Sequence, residues 1–140
     1  MKVVSKTPDI SAAKCSYSHV VEILSSKWAV LAIYAMEEGP VRYGEFRRRI
    51  EGISKKMLTQ TLRQLERDGL IARRIHPTVP PGVDYALTPL GQSLIPHLRQ
   101  LKEWAAQHYP LVEAARAAYE RTAEAAIDSD ESLQEKTNSR

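Results

Sequence analysis

The chain has 140 residues and a formal net charge of +3, from 20 Lys/Arg against 17 Asp/Glu. That length fits one domain with a real core, and a single cysteine excludes an internal disulfide framework. The chain has no run of about 18 apolar residues to form a membrane span, and Met-Lys-Val-Val-Ser-Lys-Thr-Pro-Asp at its start lacks the apolar core of a signal peptide, so a cytoplasmic protein is expected.

Residues 1–14 read as a flexible arm. From Ser18 to Met36 the pattern is helical, with Val20, Val21, Leu24, Trp28, Leu31 and Ala35 expected to face inward. Ser25-Ser26 can divide this stretch into two helices, and Gly39-Pro40 ends it. Arg42 to Ile50 is a further short helix with Tyr43, Phe46 and Ile50 on its apolar side, and Glu51-Gly52-Ile53-Ser54 is a tight connection. The next helix has a marked start and stop: Ser54 can accept a free first-turn N–H, and Gly69 can take the left-handed conformation of a helix end.

That helix has two unlike faces. Leu58, Leu62 and Leu65 form an apolar stripe, while Lys56, Gln60, Arg63 and Arg67 lie opposite, with Thr59 at the edge and no carboxylate among them. Leu70 to Ile75 is strand-like and ends at His76-Pro77. Val79-Pro-Pro-Gly82 is a turn, and Val83 to Leu87 alternates as a return strand. Thr88 caps a following helix with Pro89 at its first position; Leu90, Leu94, Leu98, Leu101 and Trp104 make its stripe, and Pro96 is expected to kink it. Pro110 opens an alanine-rich helix to about Ile127. The division expected is therefore a head with flanking helices over 15–108, a C-terminal helix over 109–127 and a disordered polar tail over 128–140.

Helix, Gly-containing turn, helix with a basic outer face, then a β-hairpin is the order of a winged helix-turn-helix. The fold class is mainly α with a small β-hairpin wing, and the long N- and C-terminal helices suit pairing of two protomers. Charge agrees: residues 42–76 hold ten Lys/Arg against four Asp/Glu, whereas 110–140 hold four against seven. Basic groups concentrated on the reading head point to a polyanion partner, double-stranded DNA. The candidate DNA contacts are Arg42, Ser54, Lys55, Lys56, Thr59, Gln60 and Arg63, with Arg73 and Arg74 of the wing on phosphates. A winged-helix protein-interaction module is the alternative; exposed apolar or acidic groups over 55–67 would favour it.

The chain resembles the HxlR-type family of bacterial winged-helix transcriptional regulators. The resemblance runs from Cys15 to about Trp104 and is carried by Cys15, Lys27-Trp28, Gly39 to Phe46, Gly52 to Leu70, Val79 to Thr88 and Leu90-Gly91, in that order. It implies a homodimer on a roughly palindromic operator, with the second helix of the motif in the major groove and a location on the nucleoid when bound. Two positions depart from the family pattern. Gly82 stands where Lys or Arg is frequent, which removes a phosphate anchor from the wing tip, and Ser16 follows Cys15 where proline is frequent.

The resemblance also marks Cys15 as a candidate sensor of oxidants or electrophiles, because several relatives with a cysteine there respond to them. A helix start favours a thiolate, with Lys14 and His19 nearby; the competing role is that of a small buried apolar residue. A small aromatic or hydrophobic effector is an alternative signal, with Trp28, Tyr34 and Trp104 as candidate pocket residues, although aromatic residues at helical spacing are more often core. His19, His76, His97 and His108 show no metal-ligand spacing, and no glycine-rich phosphate loop or nucleophile constellation occurs. No enzyme activity, metal or cofactor is expected.

Overall fold

The computed structural model describes residues 15–139, so the arm expected over 1–14 lies outside the described residues. The described residues fall into two compact units, divided between Ile95 and Pro96. In the first, α1 (Ser16–Leu24) and α2 (Lys27–Ala35) are separated at Ser25-Ser26, as the serine pair suggested. β1 (Val41–Arg42) leads into α3 (Tyr43–Arg49), which is followed by α4 (Lys55–Arg67). β2 (Ile71–His76) and β3 (Gly82–Leu87) form the hairpin, and α5 (Pro89–Asn138) begins directly after it.

The core of the first unit gathers one face from each element. Ile33 and Met36 from the α2 end, Phe46 of α3, Leu58, Leu62 and Leu65 of α4, and Ile71 of β2 are essentially inaccessible. Their burial removes from water the whole apolar stripe anticipated for α4 and supplies the main drive for folding. Tyr85 of β3 meets the Phe46 ring edge-on, with centroids 6.1 Å apart, and so pins the sheet to α3.

The sheet has three antiparallel strands in the order β1-β3-β2. Arg74 stands opposite Asp84 and His76 opposite Gly82 across the hairpin, while Arg42 pairs with the other side of Asp84 from β1. β1 was not foreseen: two residues are too few for an alternating pattern to show, and its pairing with Asp84 and Tyr85 is nonlocal.

Three chain segments meet at Thr88. Its hydroxyl donates to the Gly69 carbonyl at 2.6 Å and accepts from the Gly91 N–H at 3.1 Å, while its own N–H donates to the Leu70 carbonyl at 3.0 Å. The expected cap of α5 thus also closes the end of α4, where Gly69 takes φ +74°. The approach is close enough that a Cβ on Gly91 would lie 2.1 Å from the Leu70 carbonyl oxygen.

Two expectations fail here. α1 has no buried residue, and Val20, Val21 and Leu31, assigned inward, are 42%, 45% and 42% exposed. Their periodicity marks an apolar face, but periodicity cannot say whether the same chain covers it. The chain also stays helical from Pro89 to Asn138, through Pro96 and Pro110 and into the stretch read as a disordered tail. A proline costs its own N–H bond, yet helix propagation is favourable once nucleated, and the alanine-rich stretch after Pro110 extends it. In the polar end, hydroxyls turn onto helix carbonyls: Ser129 donates to Ala125 at 2.8 Å and Thr137 to Leu133 at 2.8 Å. Among the described residues no helix is long and apolar enough to cross a membrane.

Gly91→Ala should lower the stability of the first unit by about 1–3 kcal/mol or more, because Leu70 backbone must move. Gly44→Ala in α3, with open space around the new methyl, should instead stabilise by about 0.5–1 kcal/mol. Urea denaturation of the two variants checks the opposite signs.

Candidate nucleic-acid interface

Ser54 starts α4 as the sequence indicated. Its Oγ accepts the Met57 N–H at 3.1 Å, which leaves its own hydroxyl proton free to donate outward. With Leu58, Leu62 and Leu65 buried, the opposite face is fixed toward solvent: Lys55, Lys56, Gln60 and Arg63 are exposed along one open groove. Among the described residues Lys55, Lys56 and Arg63 form no ion pair. Arg67 lies 3.7 Å from Asp68. Four extended, hydrogen-bonding side chains on one helix, with no carboxylate between them, can meet phosphates and base edges together.

A brace from α3 holds this helix. The Tyr43 hydroxyl donates to the Lys55 carbonyl at 3.1 Å and lies 2.8 Å from Thr59 Oγ1. One phenolic proton serves the carbonyl, so Thr59 donates to the tyrosine oxygen and keeps only acceptor capacity for a ligand. The sequence reading took Tyr43 as apolar; its hydroxyl's role depends on the angle between α3 and α4, which no local pattern encodes. Arg49 completes the mount by donating to the Ala35 carbonyl at 3.1 Å, at the negative end of α2.

The wing cations are less free than the sequence suggested. Arg73 is 3.8 Å from Glu66 of α4, and Arg74 Nε donates to Asp84 at 3.3 Å. His76 Nε2 and Asp84 Oδ2 are 2.5 Å apart. Asp84 is 7% exposed and joins both β2 side chains across the hairpin. The His76 hydrogen bond holds the Asp84 carboxyl below the usual carboxylate range, against the opposing effect of burial, with Arg74 adding to the lowering. At the wing tip, a Cβ on Gly82 would be 3.4 Å from Arg42 Nη1. The glycine therefore leaves room for a guanidinium from β1, so a cation does stand at the position where the side chain itself supplies none.

The remaining candidates are dispersed. Cys15 is the cap residue of α1 and partly exposed; the Ser18 backbone N–H lowers its thiol pKa. Trp28 and Tyr34 are six positions apart on α2, so they point roughly 120° apart around the helix and do not form one wall. Lys27 Nζ sits 4.4 Å over the Trp28 ring, and burial raises the Tyr34 pKa, with Glu37 adding to it. Trp104 lies in the second unit, stacked on His108 with centroids 5.0 Å apart. Among the described residues no cluster of His, Cys, Asp and Glu could hold a metal.

Asp84 has a depressed folded pKa, so the stability it contributes is present above the ordinary carboxyl value of 3.8 and is lost as pH falls through the lower folded value. Asp84→Asn should lower the melting temperature at neutral pH, with the difference from wild type shrinking as pH falls from 3.8 through the lower folded value. Thermal melts of both proteins across that range check it.

Comparison with known proteins agrees with this geometry. A family model described as HxlR-like helix-turn-helix matches residues 23–113. The chain is 40% identical over 111 residues to the uncharacterized HTH-type transcriptional regulator YtfH of Escherichia coli, covering 79% of this chain and 88% of that protein. Among solved structures, the redox regulator HypR in its reduced form is similar with a TM-score of 0.67 at 37% identity, over 70% of this chain and 97% of HypR. The reduced form of the transcriptional regulator YodB from B. subtilis is similar with a TM-score of 0.61 at 32% identity, over 66% and 93%.

Proposed function

The chain belongs to the HxlR-like helix-turn-helix family of DNA-binding transcriptional regulators, and we propose that it acts as a homodimer on a roughly palindromic operator, with α4 of each protomer in a major groove. The observation that carries this reading is the outer face of α4: exposed Lys55, Lys56, Gln60 and Arg63, in no ion pair among the described residues and mounted on a helix that is capped, buried behind and braced by Tyr43. In this reading Ser54, Lys55 and Lys56 take phosphates at the helix start, Gln60 and Arg63 read base edges, and Arg42 reaches a phosphate from beside the wing tip. A protein-binding surface would display apolar or acidic groups over 55–67; there Met57 is 36% exposed and Glu66 is turned to Arg73, and neither stands between Lys56, Gln60 and Arg63.

Unpartnered apolar groups support a second copy. In the first unit Tyr17, Val20, Val21 and Leu90 are exposed; in the second Leu101, Trp104, Leu111 and Tyr119 are. Each surface is apolar enough to call for a cover, and a two-fold dimer covers it with the same surfaces on another protomer.

The test is duplex binding across a salt series, with the stoichiometry measured by analytical ultracentrifugation. Two chains should bind per operator. Lys56→Ala should weaken binding to all duplexes and reduce the log–log salt slope by about one unit. Gln60→Ala should lose about 1–3 kcal/mol of discrimination between operator and scrambled duplex. Equal discrimination by wild type and Gln60→Ala would remove α4 as the reading element.

A redox signal is the favoured form of control, because HypR and YodB are described in reduced form and HypR as a redox regulator, and because Cys15 is accessible at a helix start that favours its thiolate. Among the outcomes for a chain with one cysteine, two Cys15 thiols of a dimer can join in a disulfide, giving up two electrons and two protons to a diazene or peroxide oxidant; a small-molecule thiol gives a mixed disulfide instead. Diamide should change operator affinity for wild type and leave Cys15→Ser unaffected. An equal response in the variant would exclude Cys15 as the sensor.

A further inference from the structure

Between α4 and the sheet lies a crevice of about 370 Å³, lined by Thr59, Arg63, Glu66, Arg73 and Tyr85. Two guanidiniums face one carboxylate there, an excess of positive charge. The Arg73–Glu66 pair is long, at 3.8 Å, and its side chains are 51% and 39% exposed. A pair of that kind contributes little and exchanges readily for a better acceptor. Tyr85 is half-buried, and among the described residues its hydroxyl has no hydrogen-bond partner. Burial raises its pKa, so it remains a neutral donor. Crevice and outer groove share Thr59 and Arg63, so a strand lying against α4 passes the crevice mouth.

We propose that this crevice, with Arg63 at its mouth, seats one phosphodiester of the bound duplex between Arg73 and the Tyr85 hydroxyl, and that Glu66 is its built-in competitor, holding Arg73 until a phosphate displaces it. This rests on the DNA-binding reading of α4. A guanidinium prefers the paired oxygens of a phosphate, bound bidentately, to a single carboxylate oxygen at long range. Glu66 thereby sets a threshold: contacts elsewhere on α4 must hold the strand in place before the exchange occurs. No local pattern in the sequence showed this, since Glu66 and Arg73 meet only when the wing folds back on α4.

The test is a cycle of wild type, Glu66→Gln, Arg73→Gln and the double variant, each titrated with operator and scrambled duplex at several salt concentrations. Glu66→Gln should tighten both duplexes by about 2–5-fold. Arg73→Gln should weaken binding and lower the salt slope by about one unit, and in that background Glu66→Gln should gain nothing. Tyr85→Phe should weaken binding without changing the slope, because the lost group is neutral. An undiminished gain from Glu66→Gln when Arg73 is absent would reduce Glu66 to a distant charge and overturn the seat, as would an Arg73→Gln slope equal to wild type. Inorganic phosphate, followed by phosphorus NMR line width, separates a free anion from the duplex. Broadening that depends on Arg73, with an unchanged duplex slope, assigns the crevice to a free anion and overturns the proposal. If the DNA reading itself fails, Lys56→Ala also leaves duplex binding unaltered; a normal Lys56→Ala effect beside a silent Arg73→Gln isolates failure of the seat.

Discussion

The Thr88 hydroxyl, held between the Gly69 carbonyl and the Gly91 N–H, is the joint on which the reading head depends. One residue fixes the exit of α4, the entry of β2 and the first turn of α5, and Gly91 lets the two backbones come within contact. The direction of α4 and the origin of the wing are therefore set together. Both surfaces offered to a ligand inherit their spacing from this joint rather than from the long side chains that would make the contacts.

Much of this was legible before the structure. The limits of α4 follow from Ser54 and Gly69, its buried stripe from leucines at helical spacing, and the hairpin from two alternating runs around a Pro-Pro-Gly turn; each is a local rule acting on neighbouring residues. The unread features are those that join distant residues. β1 exists because Val41-Arg42 finds β3, Tyr43 matters because α3 crosses α4 at its hydroxyl, and Asp84 matters because two β2 side chains converge on it. Periodicity also identified the apolar face of α1 correctly as apolar and wrongly as internal. The same alternation describes a surface meant for the core and one meant for another molecule.

Charge on the head is divided between two states. Among the described residues Lys55, Lys56 and Arg63 of α4 form no ion pair, whereas Arg73 and Arg74 are each engaged by a carboxylate, one on α4 and one on β3. Counting basic residues over 42–76 located the reading head but overstated what the wing contributes to it. The two pairs also differ. Asp84 is nearly inaccessible and shared by two partners, so it stiffens the hairpin; Glu66 is open to solvent and holds a single long contact. Arg42, lying against Gly82 from the neighbouring strand, returns a cation to the wing tip without a side chain at position 82.

That division has a kinetic side. A polyanion approaching from many ångströms away responds to net local charge, and there the wing's ion pairs nearly cancel while Lys55, Lys56 and Arg63 do not. The attraction that shortens the search is thus centred on α4, so productive collisions begin with the helix and the hairpin settles afterwards. Association rate and residence time are governed by different residues, and salt, which screens the first encounter, acts chiefly on the helix.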